Sequence, residues 1–247
     1  MKKSRFLFPF LIMLFIMVHI AAGCTPLLNR FFGEDLEEEG QEGPPQLMEE
    51  GQRQFERGYW EEAIEAFGTV KDRYPYSKEA IEAELKVADA LYQRKEYEEA
   101  YSAYHEFERL HPKNENIPYV IYMKGMCYFR QITTVDRAQT NTLRAKEEFE
   151  RLVKRFPRDI QANKARKNIR KCLIYLAENE LYVAHFYYRM GRYRAAMARY
   201  SYIIENYPDM GQYHEALEYI KRCREKIAEE EQEAVDKKKK EEKKDKG

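Results

Sequence analysis

The chain is 247 residues long and balances 43 lysines and arginines against 43 aspartates and glutamates, for a formal net charge of zero. That balance leaves no basic surplus to gather nucleic acid over the whole surface. Its four cysteines stand far apart with no CxxC pair among them, which excludes a zinc ribbon or a thioredoxin-like redox couple.

At the start of the chain Lys2, Lys3 and Arg5 precede an apolar run from Phe6 to Ala22 that ends in Gly23 and Cys24. A basic start, an apolar stretch and small residues before a cleavage point predict a secretory signal over residues 1–23. The run is short and Pro9 interrupts it, which argues against a membrane-spanning helix. The string Ile20-Ala21-Ala22-Gly23-Cys24 resembles a bacterial lipobox, with Ala21 where leucine is usual. That resemblance implies that Cys24 becomes the acylated N-terminus, and several acyl chains on one residue anchor far more firmly than one. This covalent lipid is the one prosthetic group expected, and Thr25 after the cysteine implies sorting to the outer membrane. Removing residues 1–23 takes away three basic groups and no acidic one, so the mature charge is about −3.

Residues 24–46 are acidic and carry glycines and paired prolines, the composition of a linker holding a domain off the membrane. Residues 47–228 then carry an internal repeat. Four times an alanine is followed four residues on by an aromatic and eight further on by a proline: Ala63/Phe67/Pro75, Ala100/Tyr104/Pro112, Ala145/Phe149/Pro157 and Ala196/Tyr200/Pro208. An apolar residue follows each alanine by seven (Val70, Phe107, Leu152, Ile203), and an aromatic precedes three of them by three (Trp60, Tyr97, Tyr193). The pattern resembles the second helix and terminating proline of a tetratricopeptide repeat, a unit of about 34 residues. The expected fold is all-α, a superhelical solenoid of about five helical hairpins with the last abbreviated.

Hairpins are predicted with helices near 47–58 and 59–74, then 77–94 and 97–110, with Ser77 as N-cap of the third helix. Counting twelve back from the key alanines gives the small residues Gly51, Ala88 and Ala184. In the third repeat the matching glycine is Gly125, so about eight polar residues are inserted around Gln131 to Arg144, as a loop. Residues 159–190 lack glycine and proline and read as one long helix ended by Gly191. A second helix over 193–207 and a capping helix over 214–228 follow. Residues 229–247 are a mixed-charge tail, read as disorder or a frayed helix. Cys127, Cys172 and Cys223 fall on apolar stripes and read as packed free thiols.

The lipobox, the acidic linker, YMKGM at 122–126, VDR at 135–137, LAENELYVAHFYYRMGRYRAAMARY at 176–200 and ENYPD at 205–209 together resemble the BamD (ComL/YfiO-type) outer-membrane assembly lipoproteins. The similarity spans nearly the whole mature chain. It implies an adaptor without enzymatic activity at the periplasmic face of the outer membrane. Its implied partners are the periplasmic domains of BamA, unfolded outer-membrane proteins and the other assembly-machinery lipoproteins. A different reading of the same repeats is a scaffold for pilus, secretin or cell-wall assembly.

No catalytic or metal constellation accompanies this pattern: His105, His111, His185 and His214 are scattered, and neither HExxH nor a glycine-rich phosphate loop occurs. Function is expected on surfaces. The tetratricopeptide resemblance carries groove-lining positions onto Phe55, Glu56, Asp89, Tyr92, Tyr122, Phe129 and Arg130, where aromatics offer rigid contact and Arg130 an anchor for a carboxylate. The resemblance to the BamD-type lipoproteins, in turn, implies that Arg199 lies in the half that docks on a periplasmic domain of BamA. Core packing of these aromatics, and a solvated head for Arg199, are the competing structural readings.

Overall fold

The computed structural model describes residues 42–244, so the expected signal and the Cys24 lipidation site lie outside the described residues. Among the described residues there are nine helices and no strand: α1 Pro44–Arg57, α2 Trp60–Arg73, α3 Ala80–Gln93, α4 Tyr97–Leu110, α5 Ile117–Arg130, α6 Thr140–Arg155, α7 Ile160–Arg189, α8 Tyr193–Asn206 and α9 Tyr213–Lys244. They pair as four hairpins, α1/α2, α3/α4, α5/α6 and α7/α8, closed by α9.

The turns explain the regularity. Gly58 leaves α1 at φ 81° and Gly191 leaves α7 at φ 71°, the left-handed region that glycine enters without steric cost. At the equivalent turn after α3 stands Lys95, the non-glycine residue with positive φ among those described (67°). All three turns close with the same pair of backbone bonds. Gly58, Lys95 and Gly191 donate to Phe55, Tyr92 and Tyr188, and the next residues Tyr59, Glu96 and Arg192 donate to Gln54, Leu91 and Tyr187. At the hairpin ends Tyr74, His111, Phe156 and Tyr207 precede the four prolines, which disfavour helical geometry in the residue before them. Each donates its N–H to the apolar residue seven after the key alanine: Val70, Phe107, Leu152 and Ile203.

Within each hairpin the small residue of the first helix meets the aromatic of the second. Ala63, Ala100, Ala145 and Ala196 and the aromatics Phe67, Tyr104, Phe149 and Tyr200 are all fully buried. The contact has two forms. Where the first helix carries glycine, the partner is phenylalanine, and a Cβ added to Gly51 or Gly125 would lie 2.6 Å from a ring carbon of Phe67 or Phe149. Where it carries alanine, the partner is tyrosine, and the residue after the alanine receives the hydroxyl. Tyr104 donates to Asp89 Oδ1 at 2.6 Å, and Tyr200 bonds His185 Nδ1 at 2.8 Å. A buried hydroxyl without a partner costs about 1–3 kcal/mol, so the tyrosine form needs its polar neighbour.

Each helix packs on its neighbours in sequence, and α5 also touches α7 and α1 touches α3, so the first helices form one layer. The buried side chains accordingly fall into three clusters along the unit Pro44–Gly247: one joins the first hairpin to α3, one spans the second and third hairpins and reaches α7, and one unites the fourth hairpin with α9. Cys127, Cys172 and Cys223 are buried and free. Burial pushes the thiols of Cys127 and Cys172 up to about 12, which keeps them protonated and unreactive.

Three expectations are corrected. Ser77 does not cap α3: Glu79 holds the N-cap position, and Ser77 Oγ is buried without a hydrogen-bond partner. The helical unit starts at Pro44, not Leu47, because prolines in a first helical turn forfeit no hydrogen bond. The last helix does not stop at Ala228. It continues to Lys244, through residues free of glycine and proline and rich in helix formers. Arg194 of α8 pairs with Glu231 on this extension, and Gln232 bonds Asp236 one turn on at 3.0 Å. From Ala228 to Lys243 every side chain is exposed, so charge pairing and propensity carry the extension without a core. The polar insertion is a loop over 131–139, after which α6 begins at Thr140.

Candidate functional site: the face of the first helices

The predicted groove residues all lie on the first helices α1, α3 and α5, and the structure divides them. Tyr92 and Arg130 come together: Arg130 Nε donates to the Tyr92 hydroxyl at 3.0 Å. Burial raises the Tyr92 phenol and the Arg130 guanidinium opposes that rise, while Arg130 itself stays exposed. Tyr122 and Phe129 also converge, with ring centroids 5.7 and 6.2 Å from that of buried Phe149, so each has one edge in the core. Tyr122 additionally accepts from Asn168 Nδ2 at 3.3 Å and carries Lys164 5.8 Å from its ring centroid.

Asp89 serves packing first. Its Oδ1 accepts from both Tyr104 (2.6 Å) and Tyr119 (2.7 Å). Burial raises its carboxyl above the usual range, against the lowering effect of the two hydroxyls. Phe55 is half-buried, edge-on to Trp60 at 5.0 Å with the Lys86 ammonium 5.7 Å from its ring centroid. Glu56 is exposed and accepts from Gln52 Nε2 at 2.8 Å.

The same face continues onto α7, through residues outside the predicted set. Tyr175 (36% exposed), Tyr182 (43%), Phe186 (48%) and Met190 (60%) are separated by seven, four and four residues, which sets them in one row along the helix. The row meets the predicted groove where Tyr175 lies 6.4 Å from Phe129. Between Tyr175 and Tyr182, Asn179 Nδ2 donates to the carbonyl of Val135, so the inserted loop is tied down onto α7. The spacing was legible; the neighbouring Leu181, Ala184, Tyr187 and Tyr188, which pack against α8 and α9, drew the helical pattern instead.

Arg199 stands on α8, 47% exposed, and pairs with Glu180 of α7 at 3.0 Å. It is therefore not an unpaired charge awaiting a partner, although its head faces solvent. Among the described residues no group of three or more histidines, cysteines or carboxylates could hold a metal ion, and no helix is long and apolar enough to cross a membrane. The arrangement supports contact with a partner through aromatic rings and guanidinium groups.

Known proteins resemble this chain along most of its length. The outer membrane protein assembly factor BamD of Caulobacter vibrioides is 32% identical over 178 residues, which cover 72% of this chain and 58% of that protein. The BamD of Neisseria meningitidis serogroup A is 28% identical over 191 residues, covering 73% and 72%. The chain thus spans less than two thirds of the first relative's length. Among solved structures, the TPR2AB domain of yeast Sti1 in complex with pHSP90 aligns with a TM-score of 0.44 at 16% identity, covering 74% of this chain and 70% of that one. Residues 41–240 match the YfiO model, described as an outer membrane lipoprotein, and with four fifths of the sequence inside that match the chain belongs to the YfiO family.

Proposed function

We propose that this protein is an adaptor of the barrel assembly machinery, held by a lipid on Cys24 at the periplasmic face of the outer membrane. It binds the periplasmic domains of BamA and unfolded outer-membrane proteins, alongside other lipoproteins of the machinery, and promotes insertion. Relatives named as outer membrane protein assembly factors support the setting. The observation that carries the reading is the exposed row Tyr175, Tyr182, Phe186 and Met190, continuous with Phe129 and spanning about 22 Å at 1.5 Å per helical residue. A row of that length matches an extended segment of about six residues at roughly 3.3 Å each. Exposed apolar strips of this kind mark interaction sites.

Substrate contact is assigned to this face, and BamA contact to the α8 side bearing Arg199. Affinity purification from membranes, with partners identified, tests the assignment. Recovery of BamA is expected, together with loss of photocrosslinking to a nascent barrel protein in Tyr182→Ser/Phe186→Ser, whose folding is checked by circular dichroism. Recovery of pilus, secretin or cell-wall proteins without BamA would reject it. The anchor is tested separately: Cys24→Ser should abolish labelling by a palmitate analogue, and unchanged labelling would remove Cys24 from the scheme.

A further inference from the structure

Val87 and Val183 precede the small residues Ala88 and Ala184 and the half-buried Glu50 precedes Gly51, but before Gly125 the same place holds a buried lysine, Lys124. Lys124 is 3% exposed, and its Nζ lies 3.2 Å from Glu108, 3.4 Å from Glu148 and 3.2 Å from His105 Nδ1, 5.0 Å from the Tyr101 ring centroid. Arg151 grips Glu108 with both terminal nitrogens, at 2.6 and 2.9 Å, and reaches Glu148 at 2.6 Å; Arg155 adds a contact to Glu108 at 3.0 Å. Burying such a cluster has a desolvation cost that a valine avoids, so packing alone does not explain it.

Tyr101, Glu148 and Arg151 of this cluster also line a cleft between α4 and α6, the second helices of successive hairpins, with Tyr128 of α5 reaching in from behind. The cleft opens outward as a space of about 320 Å³ lined by Tyr101, Tyr128, Arg144, Glu147, Glu148 and Arg151. Its apolar floor is the ring pair Tyr101/Tyr128, with centroids 4.7 Å apart. At its mouth the Arg144 guanidinium rests 5.5 Å from the Tyr128 centroid. Glu147 and Glu148 stand three and four residues beyond Arg144, a spacing that ordinarily makes ion pairs, yet Arg144 pairs with no carboxylate among the described residues. Held over an aromatic ring, a guanidinium keeps its in-plane donors free for an incoming acceptor. The lining itself is balanced, Arg144 and Arg151 against Glu147 and Glu148, and behind it Lys124 and Arg155 face the single carboxylate of Glu108, which leaves one positive charge in excess over the whole cluster.

We propose that this cleft docks a protein segment presenting an aspartate or glutamate beside an apolar side chain. The carboxylate meets Arg144 and the outer edge of Arg151, and the apolar neighbour covers the Tyr101 and Tyr128 rings. Because its lining comes from α4 and α6, with only Tyr128 reaching in from α5, the cleft lies apart from the row on α7 and leaves that row open. One molecule then holds two partners at once.

The probe is a fluorescein-labelled hexapeptide, Gly-Phe-Asp-Leu-Gly-Ser, titrated by anisotropy against the full mature lipoprotein in detergent, beside its counterpart with asparagine for aspartate. The aspartate peptide should bind about tenfold more tightly than the asparagine peptide. Arg144→Gln should lose about that factor, and Glu147→Gln should tighten binding by removing the competing carboxylate. Arg144 and Glu147 are exposed, so the thermal midpoint of both variants should stay put. Equal binding of the two peptides, no binding of either at millimolar concentration, or full competition by millimolar inorganic phosphate would overturn the proposal.

Discussion

Arg130 of α5 and Tyr92 of α3 are joined at 3.0 Å by a single hydrogen bond across the layer of first helices. The arginine is exposed and the tyrosine half-buried, so the bond lies at the solvent edge of the predicted groove. Arg130→Ala should therefore cost no more than about 1 kcal/mol in urea unfolding. If the inner face holds substrate, crosslinking should fall in the same variant. A stability loss well above 2 kcal/mol would make the bond a structural tie between hairpins.

Two glycines in helices should respond in opposite senses to the same change. In Gly125→Ala the new Cβ would meet Phe149 ring carbons at 2.6 and 2.7 Å, and the ring is fully buried, so the hairpin must open. The expected loss is about 1–3 kcal/mol. In Gly68→Ala on α2 the new methyl meets nothing within 4 Å, and helix propensity should add about 0.5–1 kcal/mol. Thermal unfolding of the two variants, side by side, checks both signs.

The cluster around Glu108 predicts an acid limb. Burial alone would raise this carboxyl, but Arg151 and Lys124 together overcome that effect and hold it at about 2, against 4.5 for the free group. A carboxyl depressed on folding contributes stability that is complete above its unfolded pKa and vanishes as pH falls through the folded one. Stability should thus decline between about pH 4.5 and 2, by at most about 3 kcal/mol from this group. Glu108→Gln should flatten that limb and lower stability at neutral pH, since Arg151 and Lys124 lose one of their two shared carboxylates and keep only Glu148. An unchanged limb in the variant would assign the acid loss elsewhere.

On the proposed division of labour, Arg199→Ala should weaken binding to the periplasmic domains of the organism's own BamA. Its pair with Glu180 is half-exposed on the arginine side, so unfolding should change by less than about 1 kcal/mol. Titration calorimetry giving equal affinities for parent and variant would remove Arg199 from the interface.

The hairpins were legible because alanine, aromatic and proline recur at fixed spacing, the first allowing close approach of two helices, the second filling the gap and the third ending the helix. Lys95 was harder to find. It occupies the left-handed position that Gly58 and Gly191 mark in the other turns, and only alignment of the repeats reveals that a turn residue belongs there. The division of the groove was not legible, because whether Asp89 faces a ligand or two tyrosines depends on Tyr119, thirty residues away. Tyr122 and Phe129 have the residue types of a binding face, yet both lean on Phe149. The exposed row on α7 lies in the same helix as a buried one, and only the placement of α8 and α9 separates them. The helical extension past Ala228 was hidden by composition, since a charge-rich segment reads alike whether it is a solvated helix or a disordered tail.

The two forms of the hairpin contact, glycine with phenylalanine and alanine with tyrosine, also constrain how such a chain can be recombined. Gly51 and Phe67 belong to one hairpin, as do Ala88 and Tyr104, so each hairpin carries both halves of its own match. A chimera cut between hairpins preserves every match. One cut inside a hairpin at the tight turn can set alanine against phenylalanine, or strand a tyrosine hydroxyl with no aspartate or histidine to receive it. Viable crossover points in this family should therefore fall at the prolines and not at the glycine turns.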